Sequence, residues 1–144
     1  NLSLSDGWDG NPDGLVGLAN PNIEGGMMSD LDDYAKLISL HLNDGACGGN
    51  QVLSPEGVAF MRKDRSPEVG YGMGWWIKAP KQGGSVYLYD DPGYYGSISW
   101  IDIESGYGAV VFFEEYTGTA GGVGSGGVAS QLIPIIEEAL DAVR

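Results

Sequence analysis

The sequence holds one cysteine, one histidine and only seven basic side chains, and each scarcity closes off a class of function. Cys47 alone cannot form an internal disulfide, so any stable fold must rest on a hydrophobic core. With His41 as the sole imidazole, a Ser-His-Asp or Cys-His-Asn triad contained in this chain is not expected. Seven basic against twenty acidic residues leave a net charge of −13. That charge repels nucleic acid and anionic membranes, both of which need a basic footprint, so neither is expected as a partner. No apolar run approaches the ~20 residues of a membrane span. No basic-plus-apolar leader opens the chain, so any targeting segment is expected outside it. A Ser-x-x-Lys sequence occurs nowhere, and no nucleophile is accompanied by its base. What is present is enough for one domain: 144 residues, 42% of them hydrophobic, can bury a core without covalent staples.

Glycine is over-represented, at 25 residues where about 7% usage would give roughly ten. The clusters at 7–17, 45–49, 70–74, 83–84, 93–96, 105–108 and 118–127 punctuate the chain as turns do. Residues 1–28 read as an irregular loop segment without a sustained apolar period, and residues 29–144 as the folded part. A first helix is predicted from a Ser29 cap with Asp32 three residues on, carrying Leu31, Tyr34, Ile38 and Leu42 on one face and stopping at Asn43-Asp44-Gly45. Ser54-Pro55 opens a second, shorter helix to about Arg62. Four strands follow, at 70–78, 85–91, 97–103 and 107–114. The first would carry Tyr71, Met73, Trp75 and Ile77 on one face. The run Val110-Val111-Phe112-Phe113 predicts burial on both faces and a central place in the sheet. A last helix spans about 128–143, with Val128, Leu132, Ile135, Ala139 and Val143 on one face and Pro134 bending it. The expected class is α+β: an antiparallel sheet of three to four strands with flanking helices.

Several local patterns have two readings. Gly122, Gly124 and Gly127 spell G-x-G-x-x-G before a helix, but no second strand follows to complete a dinucleotide site, so a glycine-rich connector is the plainer reading. Asp9, Asn11, Asp13 and Gly14 match the first half of a calcium loop, whereas Asn20 at the twelfth place cannot be a bidentate ligand; an Asx-turn cluster is the plainer reading. His41 falls at the margin of the first helix's apolar face, with no Cys or Asp spacing that makes a metal set, which favours packing over ligation. Cys47, in a glycine-rich turn, is a free thiol or half of a disulfide to another chain. The stripe Tyr71, Met73, Trp75 and Ile77 reads as core rather than as a ligand box. No cofactor and no metal are expected.

Taken in order, several of these segments carry a resemblance. Gly25-Gly26-Met27-Met28-Ser29-Asp30-Leu31-Asp32-Asp33-Tyr34-Ala35 resembles the GG-small-S-x-x-D-hydrophobic helix start of the β-lactamase-like serine hydrolases, which include class C β-lactamases, DD-peptidases (penicillin-binding proteins) and related esterases. The likeness continues through Leu53-Ser54-Pro55-Glu56 and Gly70-Tyr71-Gly72-Met73-Gly74-Trp75-Trp76, then through Asp91-Pro92-Gly93-Tyr94-Tyr95-Gly96 and the hairpin 97–114. It spans residues 20–143.

The resemblance implies an enzyme that acylates a serine from a Ser-x-x-Lys motif with help from a tyrosine motif, both N-terminal to the matched region. The chain would then be the C-terminal part of such a hydrolase, holding a partial β-lactamase/transpeptidase-like fold and inactive alone, with a periplasmic or secreted setting. The family's third motif, Lys/His-x-Gly, falls on Asp91-Pro92-Gly93. By that carry-over Gly93 lets substrate lie against the strand, and the Tyr94 N–H is an oxyanion donor. Asp91 departs from the motif: a carboxylate repels a substrate carboxylate, so small ester or amide substrates lacking one are expected. The open edge of strand 107–114 would be covered by an N-terminal segment or by self-association. Two other readings stay open: a binding or scaffold module of the same fold without the chemistry, and a module stabilised by calcium at Asp9, Asn11 and Asp13.

Overall fold

A computed structural model describes residues 29–66, 68–78, 88–93, 96–114 and 124–143. Residues 1–28, with the calcium-loop candidates Asp9, Asn11 and Asp13, lie outside the described residues, as do Tyr94, Gly122 and the beginning of the second expected strand.

Helix α1 runs Leu31–Leu42. Its cap is Asp30 rather than Ser29: the Asp30 carboxylate accepts from the Asp33 N–H at 2.8 Å, while the Ser29 hydroxyl donates to the Asp30 carbonyl at 3.2 Å. A carboxylate at a helix N-terminus satisfies an orphan amide and meets the positive end of the dipole, so it wins over the neighbouring hydroxyl. After α1 the chain reverses through Asp44 and Gly45, both at positive φ. It then forms a two-residue hairpin, β1 (Ala46–Cys47) and β2 (Asn50–Gln51), turned by Gly48 and Gly49. Helix α2 (Pro55–Arg62) starts as expected, with Ser54 accepting from the Gly57 N–H at 3.1 Å.

The stretch 70–78 corrects the expectation of a strand. Only β3, Trp76–Ile77, is extended; Tyr71 bridges back to Trp76, and the Gly72 N–H reaches the Trp75 carbonyl at 2.8 Å. Gly70 and Gly74, at φ of 69° and 85°, fold the segment over. The alternation therefore fails as a stripe: Trp75 is 3% exposed but Met73 is 50% exposed.

Strands β4 (Leu88–Pro92), β5 (Gly96–Asp102) and β6 (Tyr107–Glu114) join β3 in an antiparallel sheet of order β3-β4-β5-β6. The turn from Asp102 to Gly106 closes β5 onto β6, with the Asp102 side chain accepting from the Ser105 N–H at 2.7 Å. The central, doubly buried strand is β5, not β6: Ile98, Ser99, Trp100, Ile101 and Asp102 are all buried. Strand β6 ends the sheet among the described residues, residues 107–111 are half-buried, and Phe112 is exposed. Its β-branched run reflects strand preference more than burial.

Side chains alternate across the sheet, so each face has its own core. On one face Ile38 of α1, Trp75 and Ile101 form a cluster, joined by Tyr34, Leu42, Tyr89 and Val110. Gly108 makes that approach possible, since a Cβ there would collide with the Ile38 side chain. On the other face Ile98 and Trp100 meet Ala129 of α3, with Leu132, Ile133 and Ile136 alongside. Helix α3 runs Gly124–Asp141, four residues earlier than expected, and continues across Pro134. Its buried stripe is 129, 132, 133 and 136. The expected members Ile135 and Val143 are 61% and 82% exposed.

Candidate functional site

Asp91, Pro92 and Gly93 sit at the end of β4, where the sheet changes character. Strand β3 pairs with β4 only at Trp76–Asp90 and Ile77–Tyr89. From Asp91 onward, among the described residues, β4 has a ladder partner on the β5 side alone. The Lys78 N–H reaches the Leu88 carbonyl, and the Gly93 N–H reaches the Ser97 carbonyl at 2.7 Å. By antiparallel alternation, even-numbered positions of β4 direct their backbone toward the β3 side. Pro92 is one of these, and its missing N–H suits an edge that no strand among the described residues covers. Gly93 has a local structural reason as well: a Cβ there would stand 2.9 Å from the Ser97 carbonyl oxygen. Tyr94, the expected oxyanion donor, lies outside the described residues.

Asp91 and Asp90 point to opposite faces and live in different surroundings. Asp90 is buried on the α3 face and forms an ion pair with Lys78 at 3.0 Å. Burial still holds its pKa above the usual value despite the ammonium group. Asp91 is half-buried on the α1 face and pairs in register with Ser99. Its pKa is raised first by burial and then by the negative charge of Asp90. No cation among the described residues forms an ion pair with it.

Around Asp91 the α1 face carries groups that motif reading did not single out. The Tyr34 hydroxyl and the Ser99 hydroxyl are 3.0 Å apart. The Tyr34 ring meets Phe112 edge-on, with centroids 5.6 Å apart. Burial raises the Tyr34 pKa, its hydrogen bond to Ser99 opposes that shift, and the charge of Asp91 adds to it. Tyr34 appears in the sequence only as an apolar-face residue and Ser99 only as a strand alternation; nothing local signals that they meet.

His41 is 1% exposed and its Nε2 accepts a hydrogen bond from Trp75 Nε1 at 3.1 Å. Desolvation, aided by the nearby Arg62 charge, lowers its pKa to about 4. The imidazole is therefore neutral near pH 7 and carries its proton on Nδ1, a buried atom with no acceptor among the described residues. This agrees with a packing role and exceeds it in depth of burial. Cys47 is a free, partly exposed thiol beside a groove lined by Lys36, Ser39 and Asn43. Among the described residues no group of three or more His, Cys, Asp or Glu side chains could hold a metal ion, and no helix is long and apolar enough to cross a membrane.

Comparison with known proteins places this geometry. No family model matches the chain. Its structure is similar to the crystal structure of a "putative beta-lactamase" from Bacteroides dorei DSM 17855, with a TM-score of 0.60 and 24% identity, over 81% of this chain and 45% of that one. The fold is thus β-lactamase-like, and at that identity the likeness speaks for the fold alone. In sequence the chain is 33% identical over 92 residues to "Uncharacterized protein MT1414" of Mycobacterium tuberculosis strain CDC 1551 / Oshkosh. The same figures hold for "Protein Rv1367c" of strain ATCC 25618 / H37Rv. The match takes in 55% of this chain and 23% of each relative, so the chain spans about a quarter of the length of the curated relatives it matches.

Proposed function

We propose that this chain is the C-terminal portion of a serine hydrolase that acts on ester or amide bonds through an acyl-enzyme. The observation that supports the reading is that β4 at Asp91-Pro92-Gly93, in a β-lactamase-like fold, has no ladder partner on its β3 side among the described residues. In this reading the nucleophilic serine and its lysine come from an N-terminal part of the same protein, which also covers the free side of β6. Substrate lies along β4 past Gly93, and the Tyr94 N–H donates to the oxyanion that develops as the serine attacks. Such a donor acts in the transition state, where preorganised N–H groups stabilise charge without reorientation. Asp91 replaces the cation of the motif and turns away substrates that carry a carboxylate at that place.

The experiment compares neutral with carboxylate-bearing p-nitrophenyl esters on the full hydrolase, before and after Asp91→Lys. A charge-assisted hydrogen bond is worth about 1.5–3 kcal/mol, so the ratio of kcat/KM values is expected to move about tenfold or more toward the carboxylate ester. An unchanged ratio would remove Asp91 from the substrate site. A second reading, a non-catalytic module of the same fold, is favoured by one observation: no Ser-x-x-Lys sequence occurs in this chain. It predicts no hydrolysis of any of these esters by the full protein.

A further inference from the structure

We infer that the His41–Trp75 pair is an acid-sensitive latch: neutral His41 holds the stretch 70–78, and with it β3, on the body of the protein, and a proton on His41 Nε2 releases them by local opening. The inference concerns the fold and stands whether or not β4 serves a substrate. Its first ground is how the stretch is held. Between Val69 and Lys78, Trp75 is the one buried side chain, while Val69, Met73 and Trp76 are exposed. The Gly72 and Ile77 N–H groups bond within the stretch, to the Trp75 and Gly70 carbonyls. Two backbone bonds, Met73 to Met61 and Arg65 to Tyr71, tie it to α2 and the residues after it. Strand β3 meets β4 at two pairs, Trp76–Asp90 and Ile77–Tyr89, with Lys78 held to Asp90 at 3.0 Å. The Trp75 indole, packed with Ile38 and Ile101, is the anchor to the core. The second ground is the geometry of that anchor. Trp75 Nε1–H donates to His41 Nε2 at 3.1 Å, with the rings at 80°. Nε2 accepts that bond only while it carries no proton; protonated, it sets one N–H against another. The imidazole is 1% exposed, so its charge cannot be solvated in place. The third ground is the surroundings. From α2, Arg62 donates to the His41 carbonyl at 3.2 Å and pairs with Asp44 at 3.7 Å, which puts a cation at this end of α1. Residues 70–77 carry no charged side chain. Cys47 of β1 lies beside Lys36, Ser39 and Asn43, on another side of α1. Tyr107 of β6 and Asp102 of β5, two residues on from Trp100, belong to the α3 face. Burial and Arg62 keep the imidazole neutral down to about pH 4, against 6.5 when it is exposed. Each pH unit between those values favours the released form about tenfold.

Amide hydrogen exchange of the isotope-labelled protein, corrected for the intrinsic effect of pH, tests this. The reporters are the Ile77 amide, bonded to Gly70, and the Lys78 amide, bonded to Leu88 across β3 and β4. Their protection is expected to lie below that of Trp100 and Ile101 in β5, which is paired on both sides. It is expected to fall about tenfold per unit as the pH drops from 6.5 toward 4, and the Trp75 indole N–H to lose protection in step. His41→Gln keeps an acceptor for Trp75 and does not titrate, so its profile should be flat. Should that variant not fold, the slope in the parent decides, read against the titration of the His41 ring resonances. Protection at Ile77 and Lys78 equal to that of β5 at every pH would mean that no local opening exists. Protection that is lower but indifferent to pH would equally overturn the latch. A slope that survives His41→Gln would assign the effect to the Asp90–Lys78 pair and remove His41 from it.

Discussion

The two faces of the sheet are built from the same strands and do different work. The α3 face is closed by hydrocarbon: Trp100, Ile98 and Ala129 are almost fully buried, with Leu132, Ile133 and Ile136 laid over them. The α1 face has a smaller apolar centre, Ile38, Trp75 and Ile101, and places polar groups at both ends of the helix. Toward the N-terminal end of α1 are Tyr34, Ser99 and Asp91; toward its C-terminal end, His41 is bonded to Trp75. The α3 face has the larger apolar core yet also buries the Asp90 and Asp102 carboxylates, Asp90 paired with Lys78. The α1 face brings the Tyr34 and Ser99 hydroxyls together near Asp91. On either face a partly desolvated polar group costs stability unless bonded.

The sharpest way to break this contrast is to damage the α3 face. Trp100 is 0% exposed, and Trp100→Ala is expected to cost about 3–5 kcal/mol by the lost transfer energy and the cavity left behind. Urea unfolding measures this. A loss under 1 kcal/mol would mean that α3 is not the structural face.

The next effect lies at His41. Its pKa falls from 6.5 in the unfolded chain to about 4 in the fold, so below pH 6.5 the unfolded chain takes up a proton that the folded protein refuses. The stability attached to this group is complete above pH 6.5, is lost as the pH falls from 6.5 to about 4, and declines no further below that. At about 1.36 kcal/mol per unit, the loss approaches roughly 3 kcal/mol. Asp90 and Asp91, whose pKa values are raised, act with the opposite sign: their protonation on acidification relieves a cost. The difference between the parent and His41→Gln isolates the imidazole, because glutamine still offers Trp75 an acceptor but does not titrate. Relative to His41→Gln, the parent should gain stability as the pH rises from about 4 to 6.5 and gain no more above that. An imidazole resonance titrating near 6.5 would contradict the account.

The smallest effect concerns the polar end of the α1 face. Tyr34→Phe keeps the ring against Phe112 and removes the hydroxyl bonded to Ser99. The expected cost is about 1 kcal/mol, the net worth of one such bond, read as a shift in the denaturation midpoint. A gain in stability would mean that the hydroxyl pair is held there at a cost, which would sharpen the contrast between the faces.

Much of the fold was legible because glycine clusters and changes of period mark the elements. Helices α1 and α2, the turn 102–106 and the order of strands follow from them. Single-residue offsets were not legible. Ser29 and Asp30 are both good caps, and only the Asp33 amide decides between them. The α3 stripe is set by the sheet it packs on, which periodicity within the helix does not see. The stretch 70–78 alternates like a strand, but two glycines at positive φ turn it back. Strand β6 has a core composition at a sheet edge, because β-branched residues favour strands wherever they lie. Of the candidate site, Asp91 and Gly93 rest on the motif order alone. The Tyr34–Ser99 contact joins residues 65 apart in sequence, and no local pattern encodes a pairing that exists only once the helix is laid on the sheet.

The central claim, that the chemistry enters from outside this chain onto the edge of β4, is tested most directly by a fluorophosphonate probe that labels activated serines. The account predicts stoichiometric labelling of the full-length protein at a serine of a Ser-x-x-Lys motif and none on residues 1–144. Labelling of a serine within this chain, Ser99 included, or none anywhere in the full protein, would contradict it.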